Sequence, residues 1–386
     1  MKTVKVGLLA KILLAIVCGI LLGNFMPYSI VRFFVTFNAL FSELLSFSIP
    51  LIIVGLVVVA IADIGRNAGK MLLVTVLLAY VMTLFSGFLA FGTGAFLFPQ
   101  LIDTEMPMQA AASAVSIPPF FVLKIPPMMD VMTALVTAFL FGLGLAYNEA
   151  PVLKNLAKEF RLIVVQLIEK LILPLLPLYI LGIFINMTAI GEVYNVLITF
   201  AKVIGIIFLL HIFLLLFQYT VAGFVVRRNP LQLLKTMLPA YFTALGTQSS
   251  AATIPVTLEQ VKKNGVSESV AGFVVPLCAT IHLSGSILKI VSCALALMIM
   301  QGMSYDFSMF AGFIFMLAVT MVAAPGVPGG AIMAALGVLQ SILGFDETSQ
   351  ALMIALYIAM DSFGTACNVT GDGALALIVD KIFSKN

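Results

Sequence analysis

The chain of 386 residues has no tryptophan, only two histidines and four cysteines, and just 10% of it is Asp, Glu, Lys or Arg. Ordinary soluble domains carry about 25% charged residues, so a water-exposed globule is excluded. Cys18, Cys278, Cys293 and Cys367 stand singly in apolar stretches, with no CxxC pair and no histidine at zinc spacing. Neither a disulfide framework nor a structural metal site is indicated, and the four read as small buried hydrophobes. The formal charge of +3 is too small and too dispersed for a nucleic-acid partner. No G-x-S-x-G context surrounds Ser249 and Ser250, so a hydrolase reading has no support and the chain is not expected to be an enzyme. The 20 Met and 31 Phe form no cofactor-like cluster, so no organic cofactor is expected.

What the sequence has in excess is hydrophobicity: 62% of it is AVILMFWYC. A helix needs about 20 mostly apolar residues to cross a bilayer, because lipid cannot satisfy an open backbone. Runs of that kind predict an all-α membrane protein with eight transmembrane helices near 6–26, 31–62, 68–98, 115–148, 160–188, 193–226, 266–301 and 349–380. Several exceed one crossing and are expected to be tilted or broken. No small-residue cleavage site follows the first run, which is read as a retained helix rather than a leader. Lys2 and Lys5, Arg66 and Lys70, Lys154, Lys158 and Arg161, Arg227, Arg228 and Lys235, and Lys381 with Lys385 mark alternate ends. Asp103, Glu105, Glu192, Asp306, Asp346 and Glu347 fall at the others, so both termini are expected in the cytoplasm of a multi-pass inner (plasma) membrane protein.

Two apolar segments do not fit as crossings. Residues 236–260 lie between Lys235 and the pair Lys262 and Lys263, so both ends favour the same side. Residues 308–345 lie between acidic ends on the other side, and their middle reads Ala323-Ala-Pro-Gly-Val-Pro-Gly-Gly330, which cannot continue a helix. Two opposed re-entrant helical hairpins around a central site are the physical reading, because non-helical backbone at membrane depth must be buried in protein or line a cavity. The last run adds a third interruption: Asp361, Thr365, Asn368 and Asp372 recur at spacings that put them on one helical stripe. An acid at the centre of a span costs ~2.5–3.5 kcal/mol or more, so a cation or amine partner is expected.

Three motifs, Thr247-Gln-Ser-Ser-Ala-Ala-Thr-Ile-Pro-Val-Thr257, Ala324-Pro-Gly-Val-Pro-Gly-Gly330 and Asn368-Val-Thr-Gly-Asp372, give the chain its resemblance to the dicarboxylate/amino acid:cation symporters, the glutamate transporter family. The likeness is that of a divergent, bacterial-type member. It runs over nearly the whole chain and is strongest after residue 229. It implies a glutamate-transporter-like elevator fold in a homotrimer within the lipid bilayer. Residues 1–65 would be scaffold helices 1–2, 66–99 transport-domain helix 3 and 100–192 scaffold helices 4–5. Residues 193–386 would be the transport domain, with hairpin 1 at about 229–262 and hairpin 2 at about 306–346. Carried over, Asp361 matches the carboxylate for a substrate ammonium. Ser249, Ser250, Thr365 and Asn368 match groups around the substrate, chiefly its α-carboxylate. Gly326 and Val327 match the tip of the gating hairpin. Asp372 with Asn368 matches one sodium site, and Thr280 a second, so sodium is the implied transported cation.

The departures from the family pattern sharpen these expectations. Where members that carry acidic substrates have an arginine in the last span, this chain has Gly364, and no cation remains there. A neutral amino acid is therefore expected as substrate. The family's Asn-Met-Asp triplet reads His282-Leu283-Ser284; Tyr80 and Thr83 persist, but Leu84 stands where the family has a serine. Fewer coupled cations are expected, with the Asp372 site the one that is intact. Lys289 is expected two turns along the same helix face from His282. Lys289 could replace a missing cation or reach an acidic group, and His282 could carry a proton. The bland readings are a neutral hydrogen-bonded His282, a Lys289 paired with Asp361 or Asp372 or reaching outward, and His211 as packing. The expected function is cation-coupled symport of an amino acid. The alternatives are proton-coupled symport of an amino acid or related carboxylate through His282, or a channel-like family member.

Overall fold

The computed structural model describes residues 8–64, 70–102, 117–148, 150–191, 193–322, 324 and 329–383, and among these residues the regular structure is helical throughout. The helices are α1 (Leu8–Gly23), α2 (Tyr28–Ile64), α3 (Lys70–Leu101), α4 (Val131–Tyr147), α5 (Pro151–Leu167), α6 (Leu173–Ala189), α7 (Val193–Val226) and α8 (Pro230–Thr247). They continue with α9 (Ser250–Lys263), α10 (Glu268–Ile281), α11 (Ser284–Met300), α12 (Phe307–Met321), α13 (Gly330–Leu343), α14 (Glu347–Ala359) and α15 (Asp361–Phe383). A π turn at Ile168–Ile172 fuses α5 to α6. It widens the helix just ahead of Pro174, a residue with no N–H to continue the ordinary ladder, and Leu173 N reaches back to Ile168 O.

Five helices among the described residues are long and apolar enough to cross a membrane: α2, α3, the fused α5–α6, α7 and the pair α10–α11. A sixth arises if α14 and α15 count as one span bent by 62°. Of the other expected spans, α1 covers 16 and α4 17 of the described residues, against the ~20 typical of a full crossing. The run at 115–148 is not one helix. Residues 117–130 are irregular because Pro118, Pro119, Pro126 and Pro127 withhold N–H groups, and α4 starts only after Asp130 caps Thr133 N at 2.9 Å. This irregular strip is tied along α2: Arg32 donates to Pro118 O and Pro119 O, Thr36 Oγ1 accepts from Phe120 N, and Glu43 Oε2 accepts from Ile125 N.

The two hairpins form as helix pairs. In the first, Asn229 caps α8, Pro230 sits at its first position, and the turn passes through Gln248 in a left-handed conformation (φ 55°) to Ser249, which caps α9. In the second, Asp306 caps α12 through Met309 N, and α13 begins after Gly329, whose φ of 75° glycine supplies at no steric cost. Packing sorts the helices into two groups. α1 lies along α6, and α2 packs on α4, α5 and α6. In the second group α3 lies along α11, and α15 is surrounded by α7, α8, α9, α10 and α11. Helices α13 and α14 touch both groups. The α10–α11 pair is the innermost, with 94% of its most apolar window buried, whereas α7 turns Leu209, Ile212 and Phe224 outward.

Candidate functional site

The site is built where two long apolar runs break. Helix α10 stops at Ile281, and His282 (φ −102°, ψ 94°) and Leu283 (φ −116°, ψ 41°) leave helical geometry before α11 begins at Ser284. A break at this depth frees backbone groups that lipid cannot satisfy. Asn368 takes up the free N–H groups that follow the break, and further side chains bond the same first turn of α11. Asn368 Oδ1 accepts from Gly285 N at 2.7 Å and from Ser286 N at 3.3 Å, Ser86 Oγ donates to Ser284 O at 2.8 Å, and His211 Nε2 pairs with Gly285 O at 3.0 Å. His211 is therefore not packing alone: it is hydrogen-bonded to the first turn of α11. The break also removes the continuous helix on which His282 and Lys289 were expected to share a face.

The second break lies at Met360, between α14 and α15, and makes Asp361 the first residue of α15 rather than a mid-helix acid. Asp361 Oδ2 accepts from Gly329 N at 2.9 Å, which joins it to the start of α13, and Asp361 Oδ1 lies 3.4 Å from Lys289 Nζ. Lys289 is fully buried; its ammonium also donates to Met360 O at 3.3 Å and sits 3.6 Å from the centre of the Tyr357 ring. Its stem runs against Gly364, where a Cβ would fall 2.4 Å from Lys289 Cε and 2.6 Å from Nζ. The expectation that no cation remains near position 364 is thus corrected. The charge comes from α11, and the absence of a side chain at Gly364 is what makes room for it.

Beside Asp361 lies a small polar cavity of about 20 Å³, room for about one water. Gln248 and Ser250 reach it from the first hairpin, Ala324 and Ala331 from the second, and Thr280, Ser286, Tyr357, Asp361, Thr365 and Asn368 from the two broken helices. Of the sequence-assigned residues, Ser250, Thr280, Asp361, Thr365 and Asn368 therefore share one wall. Ser249 stands just outside as the cap of α9, accepting from Ala252 N at 3.3 Å. Gly364 and Lys289 stand behind Asp361 and do not line the cavity. Gly326 and Val327 lie outside the described residues. The amide of Asn368 is largely spent: besides its two accepted bonds it donates to Ser286 Oγ at 3.0 Å. Ser286 in turn pairs with Tyr357 at 3.0 Å. Sequence reasoning missed Ser286, Tyr357 and Ser86, which lie in none of the three motifs, and Gln248, which lies in the first of them but was given no role.

About three turns further along α15, Asp372 is buried and bonded by His282 Nδ1 at 2.9 Å. Gly371 allows this approach, because a Cβ there would fall 2.6 Å from Gln218 Oε1 and 2.8 Å from His282 Cε1. Gln218 Oε1 and Thr370 Oγ1 are buried oxygens with no protein partner, and His282 Nε2 has none either. Tyr80 and Thr83, left over from the family cation site whose carboxylate is replaced here, turn elsewhere, Tyr80 toward Phe315 O at 3.5 Å and Thr83 back to Ala79 O at 2.7 Å. Among the described residues no three His, Cys, Asp or Glu side chains come together as a metal cluster.

Sequence comparison gives this arrangement a family. Residues 8–382 match the pattern of the sodium:dicarboxylate symporter family. The chain belongs to that family. Individual relatives match over a shorter stretch. Excitatory amino acid transporter 5 of Homo sapiens is 30% identical over 164 residues, covering 42% of this chain and 29% of that protein. Neutral amino acid transporter B(0) of Rattus norvegicus is 32% identical over 162 residues, or 40% of this chain and 29% of that protein. Excitatory amino acid transporter 2 of Homo sapiens is 32% identical over 178 residues, 46% and 30% of the two chains. The matched part of this chain spans less than a third of the length of these relatives. Family members of this kind are membrane transporters of small molecules, and the two broken spans and paired hairpins are the parts that build the polar cavity here.

Proposed function

We propose that this chain is a secondary active transporter that carries an amino acid, neutral rather than acidic, together with a cation. The observation that carries the reading is the convergence of described residues of both hairpins and of both helix breaks on one buried carboxylate, Asp361, beside a polar cavity. Asp361 would take the substrate's ammonium. Ser250 and the backbone N–H groups that open α9 and α13 would receive its carboxylate, as helix N-termini do. Thr365 and the remaining N–H of Asn368 complete the polar wall. The neutral preference no longer rests on a missing cation. It rests on where the cation points: Lys289 spends its ammonium on Met360 O, Asp361 and the Tyr357 ring, and leaves no positive group on the cavity wall for a side-chain carboxylate.

Asp372, with Gln218 Oε1 beside its His282 partner, offers hard oxygen donors for a transported sodium ion. The family description supports sodium coupling in general. Fewer sodium sites than in the acidic-substrate transporters follow from His282 and Ser284 in place of the family's Asn and Asp. In this reading the group of α1, α2, α4, α5 and α6 is the trimerising scaffold, and α3 with everything from residue 193 onward is the moving elevator. Both termini are placed in the cytoplasm. A second reading, proton coupling, is favoured by the 2.9 Å contact of His282 with Asp372.

Uptake by the purified protein in liposomes tests these readings together. A panel of neutral and acidic amino acids is crossed with an imposed sodium gradient or an imposed proton gradient. Sodium-dependent accumulation of a neutral amino acid is the expected result. Aspartate outcompeting every neutral amino acid would overturn the substrate reading, accumulation driven by protons alone would shift coupling to His282 and Asp372, and equilibration without accumulation would make the protein a pore.

A further inference from the structure

We infer that Lys289 is a tethered stand-in for the substrate's amine: it occupies Asp361 in the substrate-free protein, yields it to the arriving ammonium, and lets the empty carrier return with no bound counter-ion. The inference rests on the amino-acid reading of the cavity and adds a residue and a step to it. A carboxylate at this depth without a partner is costly to carry through a bilayer, and breaking a buried pair leaves that cost exposed. Asp361 is never left in that condition here, since Lys289 approaches one oxygen and Gly329 N binds the other.

The two partners hold with different firmness. Gly329 N is at 2.9 Å, whereas the ammonium stands 3.4 Å from Asp361 Oδ1, longer than the roughly 2.7–2.9 Å of a well-made charge-assisted bond. A lysine is a point charge on a flexible stem, and this one keeps two further partners, Met360 O and the Tyr357 face, when Asp361 Oδ1 is taken from it. Asp361 lines the cavity and Lys289 does not, so a substrate ammonium in the cavity meets the carboxylate without first meeting its rival. The charge sums also agree. Asp361 with Lys289 is neutral, and it stays neutral when a zwitterion binds. The amine of the substrate can replace Lys289 only while substrate is present; the empty protein depends on the lysine. Gly364 is the second half of the device, because any side chain there would collide with Lys289 Cε and Nζ and push the ammonium off Asp361.

The test uses the full-length protein in liposomes with labelled alanine, serine, leucine and phenylalanine. Net uptake into empty vesicles needs the empty carrier to return, whereas exchange into vesicles preloaded with the same unlabelled amino acid does not. Lys289→Gln and, independently, Gly364→Ala are expected to lower the ratio of net uptake to exchange at least tenfold relative to the unsubstituted protein. A ratio that is unchanged, with both fluxes preserved or both lost in parallel, overturns the inference. If the unsubstituted protein carries none of these amino acids, the functional reading fails first, and the pairing is then judged by thermal unfolding. Lys289→Gln should lower the unfolding temperature and the double variant Lys289→Gln/Asp361→Asn should recover most of the loss. Absence of recovery overturns the role of Lys289 as the counter-charge of Asp361.

Discussion

Helix α15 carries two buried carboxylates that the protein treats differently. Asp361 opens the helix at a bend, faces a cavity shared by both hairpins, and has a cation behind it at 3.4 Å and a backbone N–H at 2.9 Å. Asp372 sits mid-helix, outside the residues that line that cavity, against His282 at 2.9 Å. In both cases the partner comes from the broken α10–α11 run: Lys289 from inside α11, His282 from the break itself. The contrast teaches that a buried acid can be kept either accessible and loosely matched, so that a ligand can compete for it, or enclosed and tightly matched, so that it anchors the fold and offers a cation site.

The strongest way to break this contrast is Asp361→Asn. It leaves the Lys289 ammonium without its counter-charge, which should cost about 3–5 kcal/mol of stability and abolish amino-acid accumulation; thermal unfolding in detergent and liposome uptake read the two effects. Asp372→Asn should cost less, about 1–2 kcal/mol, because the amide oxygen can still accept from His282 and only a charged hydrogen bond becomes a neutral one. Its transport signature should be a loss of sodium dependence rather than of substrate recognition. Equal losses of stability in the two variants would erase the distinction drawn between the acids. Asn368→Ala removes the acceptor for Gly285 N and Ser286 N and should destabilise by about 1–2 kcal/mol, readable as faster hydrogen exchange at the start of α11. Ser249→Ala, which loses the 3.3 Å cap of α9, is expected to cost about 0.5–1 kcal/mol and to leave unfolding of the rest of the protein almost unaltered.

Much of the architecture was legible because its causes are local. The Lys- and Asp-flanked apolar segments gave both hairpins, since Asn229, Ser249 and Asp306 are capping residues placed where helices begin. The stripe Asp361, Thr365, Asn368 and Asp372 holds because all four lie on the single helix α15. The run at 115–148 misled because its hydrophobicity is that of a span while its four prolines prevent one. The break at His282 was also hidden. No proline or glycine stands at His282 or Leu283, and the N–H groups left free just after the break, those of Gly285 and Ser286, are met by Asn368 from another helix.

The sequence by itself determined the lipid-embedded class, the hairpins and the identity of the buried acids, because hydropathy, capping and the cost of a charge in lipid act through residue type and short spacing. Only the tertiary structure decided which cation meets which acid. Lys289 and Gly364 are far apart in the chain and their fit is steric, a stem filling the space a missing Cβ leaves, and such complementarity exists only once α11 and α15 are packed side by side.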